Sequence, residues 1–283
     1  MQEEKLFDQA VAAIDAGDLT SLEKLIHENP ELLTQRYHSP DNGYFANPYL
    51  LWFIANNPIR AEKMPAAIIP VTRLLIDQAK RHKVADLKDQ LDYTLRLVVS
   101  GRISKEEGVQ IPLAALLISE GAKPAGSLGA LAHHNLEAAR FLIEQGEPVQ
   151  LIAAVCLDLP VASEMLEKAS QQEKQEALVG ASFFGKPDAM KLLIAAGADV
   201  NGYIGSTGFH SHATALHQAV FSDSLEAVTL LVEAGADLYA KDKIYGGTPL
   251  GWAESGETDA GTSSEVKAKL RAIAGFLRAR MTE

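Results

Sequence analysis

The chain has 283 residues, 47% of them apolar and 6% aromatic, and carries 26 basic against 37 acidic side chains, a net charge of −11 with histidine neutral. A field of that sign repels nucleic acid and anionic membrane, favours encounter with basic proteins, and keeps a protein in solution. No apolar run reaches the ~18 residues of a bilayer span, MQEEKLFDQA carries no cationic and apolar leader pattern, and Cys156, as a lone thiol, can form no internal disulfide; these point to a cytoplasmic protein.

LFDQAVAAIDAGD and LTSLEKLIHENP read as a first helix pair. In the second of these Leu19, Leu22, Leu25 and Ile26 fall on one face, Asn29 stands where a closing glycine would, and Pro30 prevents continuation. The Ser-Pro, Asp-Asn-Gly and Asn-Pro steps of ELLTQRYHSPDNGYFANP mark turns in a long connection, which Tyr37, Tyr44, Phe45 and Tyr49 are expected to pin. YLLWFIANNP opens the next unit, and its second helix is expected within AAIIPVTRLLIDQAKRH, with Pro70 breaking or kinking the start. LDYTLRLVVSG and a charged turn, RISKEEG, then lead to a helix at 109.

Spacing of three and four recurs at Ile111, Ala114, Leu117, Ile118, at Leu136, Ala139, Leu142, Ile143, and at Leu159, Ala162, Met165, Leu166. It recurs again at Pro187, Met190, Leu193, Ile194 and at Leu225, Val228, Leu231, Val232. A template kept through six windows defines a helical repeat, whose units pack only against their neighbours. Gly121, Gly146, Gly197 and Gly235 stand at the ends of four such helices, where a left-handed residue closes the last turn. After Trp252, ESGETDAGTSS reads as a loop, and Thr262 with Glu265 as a capping box for a last helix. That helix buries Val266, Leu270, Ile273 and Leu277 and exposes Lys267, Lys269, Arg271, Arg278 and Arg280, the wet outer face an end repeat requires.

TALHQAV at 214 and TPLGWAE at 248 resemble the Thr-Pro-Leu-His-x-Ala helix opening of the ankyrin repeat, and AGADVN at 196 and AGADLYAKD at 234 resemble its Gly-Ala-Asp-Val-Asn hairpin start. Ala215 replaces the motif's proline, and Gly251 and Trp52 fall at its histidine position. The resemblance implies an all-α, ankyrin-like solenoid of about seven to eight helix-turn-helix repeats, some lacking the β-hairpin finger. On that pattern residues 1–283 form one repeat domain: irregular repeats at 1–83, short finger-less repeats at 84–175, the best-matched repeats at 176–253, and a loop with a capping helix at 254–283. It places Leu216, Ala219, Leu250 and Ala253 in the core, and His217 as the structural histidine that bridges backbone groups of adjacent loops. The chain as a whole resembles stand-alone bacterial ankyrin proteins. That implies a monomeric, non-catalytic module without cofactor, binding another protein through a concave face and finger loops.

Large aromatic side chains suit such a surface, because they bury much area at low rotamer cost. The candidates are Tyr203 and Phe209 in one finger, Tyr239 and Tyr245 in the next, Phe221, and Trp252 with its counterpart Gln218 at positions that face the groove in ankyrin arrays. Trp252 and Tyr245 have the alternative of packing under the loop at 254–263. His210 and His212 are finger residues counted with them; two apart on an extended arm, they point to one side and raise the alternative of a metal-dependent enzyme. No Cys or close carboxylate completes four ligands there, His217 is claimed by the repeat motif, and no metal is expected. A further alternative, prompted by the charge, is an inhibitor or immunity-type protein that masks a basic toxin or enzyme. Catalysis lacks a constellation: GSTG at 205 has no Lys or flanking strand for a nucleotide, Glu106 and Glu107 sit in a solvated turn, His133 and His134 diverge, and Cys156 reads as a small core residue.

Overall fold

A computed structural model describes residues 2–38, 43–205 and 208–282. The turn steps at Ser39, Pro40, Asp41 and Asn42, and Ser206 and Thr207 of the GSTG stretch, lie outside the described residues. Contacts divide the chain into two units, Met1–Pro148 and Val149–Glu283.

In the first unit α1 (Gln2–Ala16) packs on α2 (Leu19–Glu28), and a 3-10 helix (Leu50–Ala55) packs on α3 (Ile68–Arg81). Next come α4 (Leu87–Ser100), a short α5 (Arg102–Glu106) and α6 (Gln110–Ser119), of which α4 and α6 pair, and then α7 (Ser127–Ala132) against α8 (Leu136–Glu144). The leading members stack in a row, α1 on the 3-10 helix, that on α4, and α4 on α7; the trailing members stack likewise, α2 on α3, α3 on α6, and α6 on α8.

The second unit repeats the scheme with α9 (Leu151–Cys156) and α10 (Ala162–Lys168), α11 (Gln171–Phe183) and α12 (Pro187–Ala195), α13 (Ala215–Phe221) and α14 (Leu225–Glu233), and α15 (Pro249–Thr258) and α16 (Ser264–Met281). Here α9, α11, α13 and α15 form one row and α12, α14 and α16 the other. Four pairs in each unit meet the expectation of seven to eight helical repeats. Among the described residues no strand forms, and the only bridge is the isolated pairing of Arg36 with Tyr49. The described residues of the arms at 196–214 and 234–248 are therefore turns and bends rather than hairpins.

Two kinds of left-handed residue set the pair geometry. Gly121, Gly146, Gly197 and Gly235 close the trailing helices with φ of +110°, +103°, +89° and +87°, as expected. The turn inside a pair is made by Gly17, His134, Asp158, Gly185 or Asp223, all at φ between +52° and +68°. Histidine and aspartate tolerate that region better than other side chains. Asn29 departs from the expectation: its φ is −140°, and it ends α2 by donating from its side chain to the Leu25 carbonyl at 3.1 Å. Pro70 causes no break, because it lies in the first turn of α3, where backbone N–H groups have no helical partner. RISKEEG folds as α5 rather than as a plain turn, with Ile103 and Ser104 buried.

The helix windows hold with local shifts. Leu22, Ile26, Ala114, Leu117, Ala139, Leu142, Met190, Leu193, Val228 and Leu231 are buried, whereas Leu19 and Leu225 are exposed and α10 buries no residue. Leu113 and Leu116 join the α6 core in place of Ile111 and Ile118. The first long connection is pinned as its aromatics suggest: Tyr37 lies 5.2 Å from Phe7, Phe45 5.1 Å from Phe53 and Tyr49 5.5 Å from Trp52. Tyr44 donates to the Asn57 side chain at 3.0 Å and accepts on its carbonyl from the Tyr93 hydroxyl.

The largest departure is at 254–263. α15 runs on through Thr258, leaving a short turn, and the cap of α16 is Ser263, which accepts from Val266 N–H at 3.3 Å; Thr262 instead donates to Asp259 at 3.0 Å. Ser, Gly and Thr are weak helix formers, and here contacts with α16 outweigh propensity. Arg278 meets Glu254 and Arg271 meets Glu257, both at 2.7 Å, and Leu270 fills the space at Gly256, where a Cβ would come within 2.6 Å of Leu270 Cδ1.

Gly180 marks a second close helix approach. A Cβ there would lie 2.7 Å from Ile152 Cγ1 and 2.9 Å from Cys156 Sγ, so α9 and α11 touch through the missing side chain. Cys156 is fully buried, and burial pushes its thiol up to about 12, which keeps it a packing residue. Gly180→Ala gains up to ~1 kcal/mol of helix propensity but overpacks the contact, for a net loss of about 1–2 kcal/mol. Urea unfolding checks this; an unchanged or raised midpoint would show that α9 can yield.

Candidate functional site

The arms of the second unit are built by hydrogen bonds from single side chains. His217 is buried in α13 and spans two repeats: its Nε2–H donates to the Gly247 carbonyl at 3.0 Å, and its Nδ1 accepts from the Thr214 hydroxyl at 2.8 Å and backbone N–H at 3.3 Å. A carbonyl can only accept, so the imidazole carries its proton on Nε2. Burial lowers its pKa from 6.5 and keeps it neutral, against smaller raising effects of Gly247 and Asp242. Asn201 joins successive arms, donating to the Gly235 carbonyl at 3.1 Å and accepting from Asp237 N–H at 2.7 Å.

Asp242 is the polar centre of the last arm. Its side chain, 2% exposed, accepts from the backbone N–H groups of Tyr245, Gly247 and Ile244 at 2.7, 2.8 and 3.0 Å and from the Trp252 indole N–H at 3.1 Å. Burial alone would raise its pKa, but four donors aimed at the carboxylate outweigh it and hold the group at about 2. Trp252 is thereby fixed to the arm that precedes its own helix.

Five of the nine proposed binding residues line one cleft of about 520 Å³: His210, His212, Phe221, Tyr245 and Trp252. Val220, Ser255, Gly256, Thr262, Val266 and Leu270 complete it, from α13, α15, the turn after it, and α16. His210 meets Phe221 at 4.8 Å and Trp252 at 5.8 Å edge to face, and His212 lies 6.0 Å from both Tyr245, edge to face, and Trp252, tilted. Phe221 is 49% exposed and Tyr245 82%. Trp252 and Tyr245 do not pack under a long loop, since that segment is helix, and Trp252 instead forms a half-buried wall. Thr262, Val266 and Leu270 were outside the expected surface, because the turn and α16 were read only as a lid and a core face.

Two candidates are corrected. Phe209 is fully buried, 5.1 Å from Phe183 and 6.4 Å from Phe184, and belongs to the core. Gln218 is also fully buried; its amide N–H donates to the His210 carbonyl at 3.1 Å and its amide oxygen accepts from His210 Nδ1 at 3.2 Å, so it orients that ring from behind. Tyr203 and Tyr239 lie outside the cleft. Tyr203 is half-buried, donates to the Lys241 carbonyl at 2.7 Å and carries the Lys243 ammonium 4.0 Å from its ring centre, while Tyr239 is exposed and donates to the Met281 carbonyl at 3.2 Å.

His210 and His212 stand with ring centres 5.7 Å apart. Among the described residues no group of three or more His, Cys, Asp or Glu side chains is placed to hold a metal ion. Burial, foremost, lowers the pKa of His210, with the Gln218 contact opposing and His212 adding to the shift.

Residues 128–242 match the family model for ankyrin repeats, in three copies, so this stretch of the chain consists of ankyrin repeats. No curated protein matches it. Among solved structures it is similar to an ankyrin repeat domain from Acinetobacter baumannii AYE, at 23% identity over 66% of this chain and 97% of that one, with a TM-score of 0.36. It is similar to the ankyrin repeat domain of Bcl-3, a member of the IkappaB protein family, at 21% identity over 78% and 97%, TM-score 0.33. The human ASB11 ankyrin repeat domain matches at 16% identity over 95% and 96%, TM-score 0.39. Ankyrin repeats are generally protein–protein interaction modules. Among the described residues no helix is long and apolar enough to cross a membrane.

The Asp242 network makes a pH-resolved prediction. Its depressed pKa stabilises the fold above the ordinary value of 3.8, and that contribution is lost as pH falls through about 2. Asp242→Asn should cost about 2 kcal/mol at pH 7. In urea unfolding the gap from wild type should stay constant down to pH 5 and close on further acidification. A gap that already closes between pH 7 and 5 would assign the effect to another group.

Proposed function

We propose that the chain is a non-catalytic binding module that seats a partner protein in the aromatic cleft of its second unit. One observation carries this reading: Phe221 and Tyr245, large and largely exposed, rim a cleft whose inner wall, Trp252, is fixed by Asp242. A large aromatic surface left open to water costs solvation unless something covers it, and rigid anchors beside a pocket are the usual centres of binding energy. The net charge of −11 supports a partner of basic pI, a toxin or enzyme masked by this protein among them.

Phe221→Ala with Tyr245→Ala should weaken capture of the partner at least tenfold, because each truncation removes about 1–2 kcal/mol at a binding centre, while helical circular dichroism stays unchanged. Tyr203→Ala with Tyr239→Ala, outside the cleft, should retain capture. Equal capture by both double variants would place the binding surface elsewhere. Trp252 is unsuited to this test, since its removal frees a buried carboxylate.

A further inference from the structure

The cleft's lining has an electrostatic character that shape alone does not convey. It holds five rings, and no lysine, arginine, aspartate or glutamate. An apolar side chain and a cation both fit aromatic walls, so the charges behind the walls decide between them. Building on the binding function proposed above, we propose that the cleft's occupant is a cationic side chain of the partner, an ammonium or guanidinium group held against the rings of Trp252, Tyr245 and Phe221.

Three observations carry this. First, the Trp252 indole N–H is given to the Asp242 carboxylate at 3.1 Å. Donation to an anion returns electron density to the indole, and a more negative ring face attracts a cation more strongly. Asp242 is also a full negative charge behind the wall, held ionised by three backbone N–H groups. Second, no fixed cation lines the cleft to oppose the guest. His212 brings a fourth ring, 6.0 Å from both Tyr245 and Trp252, and the burial that disfavours a charged His210 keeps that ring from repelling one. Lys269 on α16 is engaged with Asp223 at 3.3 Å and with Glu265 at 3.4 Å. Third, the net charge of −11 complements a basic partner over longer range, steering it before the side chain is seated.

The test uses the full chain and tetramethylammonium chloride, with sodium chloride adjusted to constant ionic strength, and neopentyl alcohol as a neutral probe of the same shape. The readout is the Trp252 indole N–H resonance, one of two in the chain. Tetramethylammonium should shift it saturably, with a dissociation constant of about 1–50 mM, and neopentyl alcohol should bind at least fivefold more weakly. Tyr245→Leu and Phe221→Leu keep apolar bulk and remove the ring; each should weaken tetramethylammonium by about three- to fivefold and leave neopentyl alcohol unaffected. Equal binding of the two probes would overturn the proposal and make the cleft a seat for apolar side chains. So would the absence of any shift at ~0.5 M cation, about tenfold above the upper end of the expected range. The two readings fail separately. If partner capture depends on Phe221 and Tyr245 but tetramethylammonium does not bind, only the cationic occupant is lost. If tetramethylammonium binds but capture survives Phe221→Ala with Tyr245→Ala, only the assignment of the partner to this cleft is lost.

Discussion

A helix of about ten residues or fewer is marginal alone in water, and most helices among the described residues are no longer than that. Stacking in rows is what makes them stable. Three leading helices are buried on nearly every side: all six residues of α9 and of the 3-10 helix are buried, and six of seven in α13. The trailing row buries one stripe, as in α2 with Leu22 and Ile26 or α12 with Met190 and Leu193. Burying whole helices also buries their terminal carbonyls, which must then be satisfied. Side chains from neighbouring segments do this in the first unit. Gln110 donates to the Val98 and Gly101 carbonyls, both at 3.0 Å, and Asn135 to that of Val99 at 2.8 Å. Helix ends and repeat contacts are therefore one system, and a repeat cannot shift without stranding a polar group.

The same logic, applied to an arm instead of a helix end, produces the cleft. The segment 242–247 turns back on itself around a carboxylate, with Asp242 N–H donating to the Gly247 carbonyl at 2.9 Å and Gly246 N–H to that of Asp242 at 3.1 Å. His217 from the preceding repeat holds the Gly247 carbonyl, and Lys243 N–H reaches the His212 carbonyl at 2.8 Å. Two arms are thus tied at points rather than along a strand ladder. A buried charge is tolerable only when its acceptor sites are filled, so the Asp242 network dictates where the Trp252 ring stands as firmly as core packing would.

What could be read in the sequence was whatever repeats on a short period. Three-four spacing located the helices, the closing glycines located their ends, and the Thr-x-Leu-His opening assigned His217 its bridging role. What could not be read depends on partners distant in the chain. ESGET is helical because Arg271, Arg278 and Leu270 meet it from α16, 14 to 24 residues on. Phe209 looked like an arm residue and is core, because Phe183 and Phe184 of the previous repeat receive it. Gln218, at a position read as groove-facing, is covered by the arm that carries His210. Asp242 stood unremarked in AKDKIY, where nothing nearby announces a carboxylate with four donors. The turns inside the pairs at His134, Asp158 and Asp223 were missed for a related reason: glycine is the expected sign of left-handed backbone, and only Gly17 and Gly185 display it.

The cleft's walls differ in how they are held, and that difference bears on what binding there would cost. Trp252 is fixed by a charge-assisted hydrogen bond, and the His210 ring by reciprocal hydrogen bonds with Gln218. Neither needs to be ordered when a guest arrives, so neither contributes the rotamer entropy that association normally loses. Phe221 and Tyr245 sit at the rim with much of their surface in water, Phe221 stacked on Phe183 with ring centres 5.2 Å apart. A rigid floor beneath an exposed rim concentrates affinity in a few contacts, and the rim rings shed water only when a guest is present. The floor is positioned by buried polar groups with matched partners, and the same Asp242 carboxylate accepts the Tyr245 backbone N–H at 2.7 Å, so one network sets both the wall and the base of the rim.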